Sequence, residues 1–224
     1  MRASVLLNLT FSFGLPLVLA FFLIVQDKRR IKALVLGIIT FVIFQVFSRI
    51  PLFQFVLANQ VGFILFSYDH PIAYLFLLSL SAGLFEEVGR YLMMKKWLNK
   101  GNFMEVFTFG IGHGGIEAIL FVGLGVLFTD VTSVRDLDLI MGGVERVFAM
   151  CLHLAFSFLV FTQISRRLKY GLAISILLHT TVNFIAVYMI RLGVELLVVE
   201  LGLFVKASLA AIYLNYERKH FNER

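Results

Sequence analysis

Apolar residues run along this chain in seven long stretches, at roughly 4–25, 31–50, 72–95, 102–128, 141–163, 170–190 and 194–216. Each is near the ~20 residues that a helix needs to cross ~30 Å of hydrocarbon. Polar residues occur in two settings: charged clusters between the stretches, and solitary ionisable side chains within them. The 51–71 stretch, bracketed by Pro51 and Pro71, is too long for a turn and is expected as a short interfacial or re-entrant helix. No internal repeat, linker or low-complexity tract divides the chain. The expected fold class is an all-α polytopic membrane protein: one integral-membrane domain over 1–224, with its chemistry within 72–190.

Composition agrees with this pattern. The 224 residues are 60% hydrophobic and 15% charged, with mean hydropathy +0.91, whereas a soluble domain is nearer half apolar and a quarter charged. No large soluble domain fits. The net charge of +6 would suit a nucleic-acid binder only if the charges shared a surface, and they do not. "QDKRRIK", "KKWLNKG", "ISRRLKY" and "YERKHFNER" hold 13 of the 20 Lys and Arg and fall at alternate ends of the spans. By the positive-inside rule, the N-terminus is expected outside and the C-terminus in the cytoplasm. The opposite connections carry Asp69, Asp130, Asp136, Asp138 and Glu195. The first apolar segment, preceded only by Arg2 and followed by a charged turn, is expected to be a retained span rather than a cleaved signal. The single Cys151 lies inside a span and forms no intrachain disulfide.

Ionisable side chains inside spans are costly and usually face a protein interior. Measured from the basic ends at ~1.5 Å per residue, Glu86 lies ~14 Å deep, His113 ~18 Å, His153 ~20 Å and His179 ~15 Å. Glu117 and Asn183 each follow a histidine by one turn. Glu86 and Arg90, His113 and Glu117, and His179 and Asn183 are all spaced i, i+4, so each pair projects from one side of its helix. Four helices thus place carboxylates, imidazoles and an amide in a slab about two turns thick, expected to form a wet pocket open to the inner leaflet.

A structural reading stands beside this one. Any one of these residues, taken alone, is equally a helix–helix hydrogen-bond partner, and Glu87 with Arg90 reads as a structural ion pair. The glycines around His113 in "GIGHGGIEAI" let helices approach closely or clear room for a ligand. Glu145 and Arg146 are expected at the interface, and Glu200 and Lys206 in packing or snorkelling roles. Shared depth is what the structural reading leaves unexplained.

At these residues the chain resembles a known group. "EEVGR" resembles the EExxR-type first motif of the intramembrane CAAX-protease and bacteriocin-processing superfamily (type II CAAX prenyl endopeptidase-like and PrsW-like), whose members more usually place the basic residue one position later. "HGGIE" is similar to the second-motif helix in its glutamate form, and "HTTVN" to the HxxxN third motif. With the extra His153 on the intervening helix, the set resembles the YhfC-type membrane peptidases. The resemblance spans about residues 72–190. It implies a glutamate-dependent, metal-assisted intramembrane endopeptidase of a bacterial or archaeal cell membrane, acting on membrane-associated or lipid-anchored proteins or peptides. A related helical core also serves as the non-catalytic scaffold subunit of gamma-secretase, so the fold alone does not fix activity.

Peptide hydrolysis needs an activated water, a proton acceptor and an oxyanion stabiliser. Zinc, with His and carboxylate ligands, supplies the first and polarises the carbonyl. The expected ligands are His113, His153, His179 and Glu117, with Glu86 or Glu87 as general base. Asn183 is placed to donate to the oxyanion, and Arg90 to hold a carboxylate. A metal-free version has Glu86 as base, Glu117 tuning it, and His179 with Asn183 stabilising the intermediate. Two other classes remain open: a proton or ion translocator using the buried Glu/His cluster, and a catalytically silent helical scaffold.

Overall fold

The computed structural model describes residues 2–221. Seven helices among them are long and apolar enough to cross a membrane: α1 (Ala3–Gln26), α2 (Lys28–Asn59), α4 (Pro71–Trp97), α5 (Phe103–Phe128), α6 (Asp136–Arg166), α7 (Gly171–Arg191) and α8 (Leu196–His220). A short helix, α3 (Val61–Asp69), joins α2 to α4. The chain is therefore a polytopic, all-α integral membrane protein. The exterior is apolar, with Phe21 71%, Phe47 73% and Leu209 62% exposed, while Glu87, Arg90 and His113 are each 0% exposed. A water-soluble fold has the opposite distribution.

The second span differs from expectation. It runs on through Pro51 to Asn59, so the 51–71 segment is the end of α2 plus the separate α3. Pro51 lacks an N–H and its ring crowds the carbonyl one turn back. Wider π-helical turns over Val42–Arg49 and Leu52–Val56 flank it and let the helix continue. α5 starts at a capping box, Asn102 with Glu105. α6 ends at Arg167, whose φ of 52° lies in the left-handed region that stops a helix.

α6 is the central helix, with 67% of its most apolar stretch buried against at most 39% in any other span. It contacts α1, α4, α5, α7 and α8, while α4 packs along α7 and α2 along α5. The last of these pairings is close enough to need glycine. A Cβ on Gly37 would lie 2.1 Å from the Phe109 carbonyl oxygen, and one on Gly112 would lie 2.3 Å from that of Leu34. The two backbones therefore touch, as small residues permit in lipid.

The loops after α1, α4 and α6, and the end of α8, gather at one end of the bundle, here termed the basic end. An apolar core fills that half, built on Ala33, Met94, Val106, Phe109, Phe158 and Phe161. At the far end Arg2 ties the chain start to the α5–α6 loop, donating to the Val131 and Val134 carbonyls at 2.9 Å.

Candidate active site

Beyond the apolar core the interior becomes polar. α4 supplies Glu86, Glu87 and Arg90 over one turn, all buried. Arg90 ion-pairs with Glu87 and lies 3.3 Å from Glu86 Oε2, so both carboxylates share one guanidinium. α5 brings His113, whose Nε2 is 3.1 Å from Glu86 Oε2. α6 brings His153, with Nδ1 2.5 Å from Arg90 Nη2 and 3.7 Å from Glu86 Oε2. α7 brings His179, with Nδ1 2.7 Å from Glu87 and Nε2 3.9 Å from Glu86 Oε1. Three sequence motifs and the intervening His153 thus converge on Glu86, from four helices.

The partners constrain the tautomers. A guanidinium can only donate, so His153 Nδ1 accepts from Arg90 and Nε2 carries the proton. That Nε2–H meets Glu117 at 2.7 Å. His179 likewise offers Nδ1–H to Glu87, leaving the Nε2 lone pair toward Glu86. His113 Nδ1 is buried without a hydrogen-bond partner. Aromatic rings hold two of the imidazoles: Phe156 stacks on His179 at 4.8 Å between centroids, and Phe41 meets His113 edge-on at 5.4 Å. One ligand atom each from Glu86, His113 and His153 lies within 4.8 Å of the others.

Two contributors were not singled out from the sequence, and a third was misplaced by it. Gln45, buried in the π-helical part of α2, donates to Glu86 Oε1 at 2.5 Å. Arg49, one turn on, reaches Gln45 Oε1 at 3.3 Å and Ser81 at 2.8 Å. The signal was a polar i, i+4 pair inside an otherwise apolar run, the same signal that picked out α4. The third, Arg146, corrects an expectation. It is buried rather than interfacial, and its guanidinium bridges Glu117 at 3.2 Å and Glu145 at 2.5 Å. Glu200 is also buried, and Lys206 donates to the Val182 carbonyl at 3.3 Å. The glycines about His113 serve close helix approach: Gly110 faces Leu154 and Gly114 faces His153.

Two cavities reach this cluster, of about 170 and 410 Å³. Glu86, Glu117, Glu145, Asn183 and Ala186 border both, and Asn183 is half-buried on the same side of α7 as His179. The expected opening toward the inner leaflet is not what the packing provides. Large side chains close the basic end, and the cavities lie on the far side of the cluster, where Ala82, Ala149 and Ala186 leave space.

Comparison with known proteins agrees with the geometry. A family model described as "YhfC intramembrane metalloprotease" matches residues 11–138 and 126–203. An uncharacterised membrane protein, YhfC of Bacillus subtilis (strain 168), is 30% identical over 201 residues, covering 74% of this chain and 77% of the relative. No solved structure gives a significant match.

Proposed function

Because this chain belongs to the YhfC intramembrane metalloprotease family, we propose that the Glu86-centred cluster is a metal-dependent peptidase site that hydrolyses peptide bonds of membrane-associated substrates. The observation that carries this reading is the convergence of Glu86, His113 and His153, from three helices, within ligand distance of one another.

The donor set fits a metal. Two imidazoles and a carboxylate with a further position open are a common catalytic zinc arrangement. Glu117 on His153 is the kind of outer carboxylate that would orient a metal-bound histidine, and Glu87 orients His179 in the same way. Charge points the same way. The carboxylates of Glu86, Glu87, Glu117 and Glu145 face only two directly bonded guanidiniums, Arg90 and Arg146. Even with Arg49, which reaches Glu86 through Gln45, the carboxylates outnumber the guanidiniums, and a divalent cation would offset the remaining negative charge. Arg90 Nη2 touches both Glu86 and His153, so binding through those two donors requires Arg90 to keep Glu87 alone.

When bound, the ion would polarise the scissile carbonyl and acidify a water. The remaining work falls to side chains. Glu86, His113 and His153 would hold the ion, with His179, held by Glu87, beside the position left open for water. Glu117 borders both cavities and is not needed as a ligand, so it takes the proton from the attacking water and passes it to the leaving amine as the C–N bond breaks. This exchanges the roles expected for Glu86 and Glu117. Asn183 donates to the carbonyl oxygen as negative charge develops there, and Arg146 holds Glu117 in place. A proton translocator would need a polar path through the bundle, and the apolar core at the basic end weighs against one.

Paired variants test the assignment. Glu117→Gln is expected to retain the metal and lose turnover. Glu86→Gln is expected to lose both. If Glu86→Gln binds metal as wild type does, Glu86 is not a ligand.

A further inference from the structure

The cavities are one-sided to a degree that bears on what the enzyme can cut. Along α4 their lining stops at Glu86, and along α6 it stops at Phe156. Along α7 it begins at His179, and along α2 at Gln45. No lining residue lies on the basic-end side of these positions. In that direction Met94, Phe109, Phe158 and Val160 are 0% exposed and packed together. A notch of about 620 Å³ does exist at the basic end, beside Tyr91, Lys95, Gln163 and Arg167, but no residue of the cluster borders it. Close-packed interiors leave no passage for water or a polypeptide, so the cluster communicates with one face of the membrane only. The excess of Lys and Arg marks the closed end as cytoplasmic.

We propose that water and substrate reach the cluster from the extracytoplasmic half of the bilayer, through the gap bounded by α2, α4 and α7. The substrate class follows, resting on the peptidase reading: polypeptide segments whose scissile bond lies in the extracytoplasmic half, such as the outer end of a membrane span or the segment beside it. A lipid-anchored tail on the cytoplasmic face would have to cross the apolar layer and is excluded as a substrate. The sidedness itself does not depend on peptidase activity, so it can be tested whether or not a substrate is in hand.

In a Cys151→Ala background, single cysteines are placed at Ala186, which borders both cavities, at Ala149, which borders the smaller one, and at Lys169 in a basic loop. A membrane-impermeant methanethiosulfonate reagent is applied to intact cells and to sealed inverted vesicles. Ala186→Cys and Ala149→Cys are expected to label in cells, with loss of labelling in inverted vesicles. Lys169→Cys should do the reverse. Labelling of the two cavity cysteines from the vesicle side, or from neither side, overturns the inference. So does labelling of Lys169→Cys in intact cells, because the closed end would then face outward. The substrate class alone fails if the labelling is as expected but a cleavage product maps to the cytoplasmic half.

Discussion

Toward the basic end, α4, α5 and α6 meet through Met94, Phe109 and Phe158, all fully buried apolar side chains. One to two turns further on, the same helices meet through Glu86, His113 and His153, also buried but bonded partner by partner. The first region is held by shape and the second by pairing. In lipid, apolar contacts gain little from the hydrophobic effect, because the surrounding chains are as apolar as the side chains, so dense packing supplies the stability. A buried charge, in contrast, must find its partner or carry a large desolvation cost. The dry half also makes the polar half more effective, since electrostatic interactions strengthen where water is excluded.

Removing the shared cation should produce the largest difference between the regions. Arg90→Met leaves Glu86 and Glu87 adjacent and uncompensated, with an expected loss of about 3–5 kcal/mol in stability, read by thermal unfolding in detergent. Glu117→Gln keeps size and shape, so it should unfold as wild type does while cleavage drops by about 10²–10⁴-fold. On the apolar side, Phe158→Ala should cost stability near the low end of the ~3–5 kcal/mol seen for such truncations, and its metal content should be unchanged. If Phe158→Ala abolished metal binding, the two regions would not be separable as described here. Gln45→Leu removes the neutral donor to Glu86. It should weaken metal binding by roughly 10–100-fold, as loss of an orienting partner does, with little effect on unfolding. The smallest effect is expected outside both regions: Asn102→Ala uncaps α5 and should cost about 1 kcal/mol without changing metal affinity.

The two regions were not equally legible from sequence. All seven spans were visible as apolar runs, because length and composition alone decide whether a helix can cross a bilayer. The residues around Glu86 were visible for the complementary reason: an ionisable side chain in such a run is expensive enough to be noticed. Arg49 met the same criterion, and Gln45 is a neutral polar side chain one turn before it, but both lay on a helix without a recognised motif. Arg146 sits ten residues into α6, and counting residues placed it near the interface. Only the packing of α5 against α6, which sets Glu117 beside it, makes it a buried partner. The course of α2 through Pro51 depends on π-helical turns, for which the sequence carries no simple periodic signal. The direction in which the site opens was also hidden. It depends on which side of a polar layer the bulky residues pack, a three-dimensional property that depth along single helices does not contain.

The central claim is that Glu86, His113 and His153 form one metal site, and elemental analysis of purified, metal-supplemented protein tests it most directly. Wild type and Phe158→Leu are expected to retain one divalent ion per chain, while Glu86→Gln, His113→Ala and His153→Ala retain none and still elute as folded protein. Wild type without stoichiometric metal, or three variants that bind it undiminished, would contradict the claim.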